Sequence, residues 1–157
     1  MFQNILAAVD QSERAPGVVE AATAIADRFA GQVNLYTALA IPPEFPPAAS
    51  TQGDALLPYL IEQARARLAT LASGRSRVRT EPPAVLHSQP WRDILAAAQR
   101  LGADLIVIGS HGYGGWDRVL GTTAGKVANH AACPVLIIHE RAPRRTESRS
   151  SPRDAEG

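Results

Sequence analysis

Five glycines fall within thirteen residues, at Gly109, Gly112, Gly114, Gly115 and Gly121, and two hydroxyl residues, Thr122 and Thr123, follow at once. Glycine tolerates positive φ and lets a ligand come close to the backbone. A helix beginning at Thr122 would turn the unbonded amides of Thr122, Thr123 and Ala124 outward, and such a terminus attracts an anion. The chemistry that suits this composition is the cradling of a phosphate chain. The field of a helix terminus contributes only about 0.3 to 2 kcal/mol, whereas micromolar affinity requires about 8 kcal/mol. Several backbone donors, a buried base and a ribose contact must add together, so a nucleotide suits the loop better than free phosphate. Asp10, closing the first apolar run, can accept from a ribose hydroxyl; a lone Asp there can equally cap the next helix or open a turn.

Familiar phosphate motifs do not fit. GTTAGKV has Lys126 after a glycine, but three residues separate Gly121 from Gly125 and Val127 stands where a P-loop needs Ser or Thr for magnesium. No GxGxxG follows the first strand, which disfavours a dinucleotide-binding half. A phosphoacceptor domain would want clustered acids after that strand, and Asp10 has only Glu13 nearby. His87, His130 and His139 are dispersed without ligand spacing, so no metal site is expected. His111 reads as a ligand contact or an ordinary loop residue. Trp116 reads as packing on the helix below the loop, and Cys133 as a small buried apolar residue.

The elements that must position these residues alternate between strand-like and helix-like runs, the pattern of a parallel sheet covered by helices. The first strand is expected at 4–10, a nearly continuous apolar run as in strands buried on both faces. Ser12 can cap a helix over 13–30 with Val18, Ala22, Ile25 and Phe29 on one face, closed by Gly31. The second strand is expected at 32–39, and four prolines make the following segment to Asp54 a long loop. A second helix over 54–73 turns Leu57, Leu60, Ile61, Ala64, Leu68 and Leu71 inward and Arg65 and Arg67 outward. The third strand lies within 78–87, and Pro82 and Pro83 place it at a sheet edge. Ser88 or Gln89 caps a third helix with Pro90 at its first position and Gly102 at its end. The fourth strand is 104–109, a helix runs over 122–131, and the fifth strand is 135–139.

Right-handed crossovers then give an α/β fold: a three-layer sandwich with a five-stranded parallel sheet in the order 3-2-1-4-5 and helices on both faces. The loops after strands one and four leave on opposite faces, and the crevice between them is where ligands bind in such sheets. Asp10 and Gly109 border it. The loop from Gly109 to the next helix is also longer than the roughly two to six residues such a connection needs, which favours a functional role.

The chain has 157 residues, 45% of them apolar, the size of one domain. With 16 basic and 15 acidic residues there is no global field to gather nucleic acid or a membrane surface. Residues 141–157 hold five Arg against three acids and no apolar periodicity, and are expected to form a disordered Arg-rich tail after a domain at 1–140. The single cysteine excludes an internal disulfide, and no apolar run approaches a membrane span. The chain reads as soluble and cytoplasmic, with neither nucleic acid nor membrane as a partner.

ILAAVDQSE near the start and ADLIVIGSHGYGGWDRVLGTTAGKVANHAACPVLIIH near the end, with the two-helix layout between, resemble the universal stress protein family over about residues 2–140. The most specific feature is the Gly-x-x-Gly, spacer, Gly-Ser/Thr pattern of its ATP-binding members, here Gly109, Gly112, Gly121 and Thr122. The spacer, Tyr113 to Leu120, has eight residues, one fewer than the family's usual pattern. The resemblance implies a Rossmann-like fold of the adenine nucleotide alpha hydrolase-like type, with ATP, and magnesium with it, as the cofactor. It implies adenine and ribose contacts from Ala8, Asp10 and Ala38, and ribose and phosphate contacts from Ile108, Gly109, His111 and Gly112. Gly121, Thr122 and Thr123 would form the phosphate cradle. A homodimer paired through the last strand, Val135 to His139, is also implied. The expected function is a dimeric, nucleotide-binding regulator of the stress response, with at most weak hydrolysis. A slow ATPase or adenylyl-transferring enzyme, and an interaction module without nucleotide, are the competing readings.

Overall fold

The computed structural model describes residues 1–40, 53–86, 89–110 and 122–139. The expected proline-rich loop, His87 and Ser88, the glycine loop from His111 to Gly121 with Trp116, and the tail lie outside these residues. Seven strands and four helices are described: β1 (Asn4–Ala8), α1 (Ala15–Phe29), β2 (Gln32–Tyr36), β3 (Ala38–Ala40), α2 (Gly53–Ala72), β4 (Val78–Thr80), β5 (Ala84–Leu86), α3 (Pro90–Leu101), β6 (Leu105–Gly109), α4 (Thr122–His130) and β7 (Val135–Ile138).

The main sheet runs β4-β2-β1-β6-β7 and every pair is parallel. In terms of the five expected strands this is the order 3-2-1-4-5, with the third at an edge. The difference lies in two breaks. The second strand divides at Thr37 into β2 and β3, and the third divides at Pro82 and Pro83 into β4 and β5; β3 and β5 pair as a separate parallel ribbon. The reason is the shortness of β1. Its ladder with β2 ends at the Ala8 and Tyr36 partners, the Val9 amide donates to the Tyr36 carbonyl at 2.9 Å, and beyond that point β3 has no central strand beside it.

Two cores flank the sheet. Ile5, Ala7, Val9, Val33, Leu35, Leu105 and Val107 face α1 and α2, which contribute Val18, Val19, Ala22, Ala26 and Leu68. Leu6, Ala8, Tyr36, Ile106 and Ile108 face α3 and α4, which contribute Ile94, Ala97, Ala98, Ala124 and Val127. The period-two alternation along β1 and β6 sorts neighbours to opposite faces. Burying each large aliphatic side chain contributes about 1.5 to 3 kcal/mol, so the central strands are the most strongly held part of the molecule.

Helix α1 departs from expectation at both ends. It starts at Ala15 with Arg14 as its N-cap residue, and the Ser12 hydroxyl accepts from the Arg14 amide at 3.3 Å without capping the helix. Phe29 is 45% exposed and not in the core; as the last helical residue it stacks edge-on against Phe2, 5.4 Å away. The helix is closed by Ala30, whose φ of 53° is left-handed, and not by Gly31. Gly31 is required for another reason: a Cβ there would lie 2.5 Å from the Phe2 carbonyl oxygen. Helix α3 follows the expected bounds, with Gln89 as N-cap residue, Pro90 in the first turn and Gly102 left-handed at its end. Gln89 makes no side-chain cap bond.

At the amino ends of the strands a polar lacing joins β1, β2 and β6. The Asp104 carboxylate accepts from the Gln3 and Asn4 amides at 2.9 and 3.0 Å, and Asn34, only 5% exposed, donates to Asn4 Oδ1 at 2.7 Å. The Asn4 side chain donates in turn to the carbonyls of Leu101 and Gly102 that end α3. Burial pushes the Asp104 carboxyl up, but the two donated amides and the N-terminal ammonium outweigh it and hold the group below the ordinary carboxylate range.

Candidate functional site

The β1–β6 junction is where the chain's crossovers diverge. Ala8 and Ile108 are register partners, yet β1 continues into α1 on one face while the segment after β6 leads to α4 on the other. The parting of these two loops opens a crevice at the carboxyl ends of the strands, the general ligand position of such sheets.

Of the ten residues expected to contact a ligand, six are described with their side chains: Ala8, Asp10, Ala38, Ile108, Gly109 and Thr123. Thr122 is described as the first residue of α4, while His111, Gly112 and Gly121 lie outside the described residues. Ala8 and Ile108, each 5% exposed, bury their side chains in the α3–α4 core, so only their backbone faces the crevice. Ala38 is half-buried against the same core, one residue beyond the break between β2 and β3. Gly109 is half-buried, and a Cβ there would meet Val18 Cγ2 at 3.4 Å, an ordinary contact. It does not adopt positive φ.

Asp10 is exposed at the mouth of the crevice, just past β1. Its Oδ1 accepts from both the backbone amide and the hydroxyl of Ser12, the first at 2.9 Å. This is the local turn role that a lone Asp can play. It leaves acceptor capacity, because an ionised carboxylate offers about four lone-pair sites.

The amide of Ser110, counted at first among the phosphate donors, is corrected by the structure: it donates to the Ile138 carbonyl at 2.9 Å, extending the β6–β7 ladder by one bond. The amides of Thr122, Thr123 and Ala124 open α4, where no acceptor exists within the helix.

Two arginines that the sequence did not single out tie the rim together. Arg14 Nη1 donates to the Ser110 carbonyl at 2.7 Å, linking the start of α1 to the end of β6. Arg67 Nη2 donates to the Ser12 carbonyl at 2.8 Å, linking α2 to the β1–α1 turn. Arg67 is exposed, as its outward position on α2 requires, but its head group is engaged. No spacing signal marks either, since a long cation finds its partner only in three dimensions. Together they set positive charge beside the crevice. Among the described residues no group of three or more His, Cys, Asp or Glu could hold a metal ion, and no helix is long and apolar enough to cross a membrane.

Comparison with known proteins agrees with this geometry. The sequence model described as the universal stress protein family matches residues 1–139. Universal stress protein A homolog 1 of Coxiella burnetii is 28% identical over 142 residues, covering 87% of this chain and 96% of that protein. A Thermus aquaticus universal stress protein, encoded 3′ of a QAH/OAS sulfhydrylase, is 30% identical over 145 residues, covering 88% of this chain and 99% of that one. Among solved structures, hypothetical protein MJ0577 superposes with a TM-score of 0.73 at 23% identity, covering 90% of this chain and 98% of its own. A universal stress protein in complex with cAMP gives 0.59 at 25% identity, covering 87% and 96%. One from Archaeoglobus fulgidus in complex with dAMP gives 0.59 at 21%, covering 86% and 96%. From the parallel sheet and its diverging crossovers to the match along nearly all of the described residues, the chain belongs to the universal stress protein family.

Proposed function

We propose that this protein is an ATP-binding universal stress protein of the cytoplasm, a homodimeric regulator whose nucleotide state is read by partner proteins in the stress response. The observation that carries the reading is the β1–β6 junction: Ala8 and Ile108 side by side, Asp10 at the mouth, and the amino end of α4 on the far side of the loop. Two family members of similar fold carry cAMP and dAMP, which supports an adenine nucleotide as the ligand class.

In this reading the backbone of Ala8, Ala38 and Ile108 meets adenine and ribose, and a ribose hydroxyl donates to the Asp10 carboxylate beside its Ser12 bonds. Gly109, His111, Gly112, Gly121, Thr122 and Thr123 surround the phosphates, with the first amides of α4 as donors. Arg14 and Arg67 stiffen the rim and offset part of the triphosphate charge. A magnesium ion accompanying ATP would be held by phosphate oxygens, since the described residues offer no acidic cluster for it.

Binding is favoured over turnover because the Asp10 oxygen Oδ1 is already committed to Ser12, and a general base must reach a positioned water. For the dimer, β7 is a sheet edge, and its Leu136 is 36% exposed. An unpaired edge of that kind is a template for a second strand. Heating purified protein and running the supernatant on anion exchange tests the assignment: released adenine nucleotide supports it, and its absence, with no heat on titrating ATP, leaves an interaction module. Multiple-turnover phosphate release would make the protein a slow ATPase instead.

A further inference from the structure

A cleft of about 430 Å³ opens between α3 and the connection from β4 to β5, and it shares no lining residue with the β1–β6 crevice. Pro82, Pro83, Ala96 and Ala97 give it apolar walls, and Tyr36, Asp93 and Arg100 give it polar ones. Asp93 Oδ2 is sealed from solvent and has no hydrogen-bond partner, an unusual state for a carboxylate oxygen. Leaving such an acceptor unsatisfied is costly, so the site calls for a donor.

The charges of the cleft do not cancel. Arg100 Nη2 lies 3.1 Å from Glu81 Oε2, and the Glu81 side chain is the more buried partner at 15% exposure against 58%. That pair is self-contained, and Asp93 remains as the uncompensated anion. Arg92, which also acts on Asp93, is exposed and lies 5.1 Å from the Trp91 ring centre. Burial first, and then the Asp93 charge, pushes the Tyr36 phenol up to about 12, so it stays neutral and can accept or donate. Among the described residues no third ligand joins Asp93 and Glu81 to suit a metal ion. An anion would meet Asp93, and a neutral alcohol would bring one donor and no charge.

We propose that this cleft is a second ligand site, taking a small organic cation built as a primary ammonium on a short apolar stem. The ammonium donates to Asp93 Oδ2 and to the Tyr36 hydroxyl, and the stem lies on Pro82, Pro83, Ala96 and Ala97. The site is independent of the nucleotide reading and stands or falls apart from it.

The test is titration of n-butylammonium chloride into the ¹⁵N-labelled full chain, with 1-butanol, sodium butyrate and potassium chloride as matched controls. Saturable amide shifts confined to α3 and its neighbours Tyr36 and Glu81, seen with the ammonium alone, are the expected result. Asp93→Asn keeps the shape and removes the charge, and weakens binding about tenfold or more. Ala96→Trp, at an exposed position on the cleft wall, blocks it. Shifts that never saturate, equal shifts with 1-butanol, or undiminished binding by Asp93→Asn overturn the proposal. Should Asp93→Asn lose its fold by circular dichroism, undiminished binding by Ala96→Trp overturns it in the same way.

Discussion

Replacing Gly31 by Ala probes the tightest backbone approach in the molecule. The added Cβ would stand 2.5 Å from the Phe2 carbonyl oxygen, 2.9 Å from Gln3 Cα and 3.0 Å from the Gln3 carbonyl oxygen. All three atoms are backbone, so no rotamer change relieves the contact. Gly31 is also held on both sides: its amide donates to Ala26 at 2.8 Å, and the next amide, of Gln32, donates to the same Gln3 carbonyl at 2.9 Å. Relief requires separating the amino ends of β1 and β2. Overpacking of this kind costs about 1 to 3 kcal/mol. In a chain of 157 residues that lowers the thermal midpoint by roughly 3 to 10 °C. Gly17→Ala is the internal control. A Cβ there meets nothing within 4 Å, the position is helical, and relief of backbone entropy should add about 0.5 to 1 kcal/mol. Melting curves by circular dichroism, supported by urea titrations, rank the two variants around the parent. A Gly31→Ala protein that melts with or above the parent would refute the steric reasoning.

Gly121→Val should abolish ATP binding in calorimetry by intruding on the phosphates while the far-ultraviolet spectrum is unchanged; retained affinity counts against the phosphate cradle. Leu136→Lys places a charge on the β7 edge and should convert the dimer to monomer in light scattering, whereas an unchanged mass would move the interface elsewhere. The Asp104 carboxyl lies below its ordinary value in the folded chain, so its contribution is present above the unfolded pKa of about 4 and is lost as pH falls through the folded value. Stability should therefore drop more steeply below pH ~4 in the parent than in Asp104→Asn, and parallel acid profiles would contradict the link.

Strand order was legible because the apolar runs at Asn4–Ala8 and Leu105–Gly109 are long enough to demand burial on both faces, and because prolines exclude Val78–Leu86 from the centre. The breaks at Thr37 and at Pro82–Pro83 were only partly legible: prolines announce the second, but the first depends on where β1 stops. Phe29 misled for a related reason. Its spacing from Ile25 suits a buried stripe, yet α1 ends there, and the ring reaches past the core to Phe2. At the crevice, Asp10 and the amino end of α4 could be found from a strand end and a run of glycines. Asp10's bonds to Ser12, the loss of the Ser110 amide to Ile138, and the Arg14 and Arg67 ties could not, because each depends on which backbone atom a fold brings within reach. The cleft at Asp93 left no trace in the sequence either, since an orphaned oxygen is a property of packing.

The lacing of Asn4, Asn34 and Asp104 lies at the rim of the sheet opposite the crevice, and this division has an evolutionary consequence. With strand alignment anchored at one rim, the other can lengthen or shorten its connections without re-indexing the pleats. A spacer trimmed by one residue between Gly112 and Gly121 is an edit of that sort, absorbed where it occurs. Lineages sharing this scaffold are thereby free to retune ligand preference one loop at a time while inheriting the same floor.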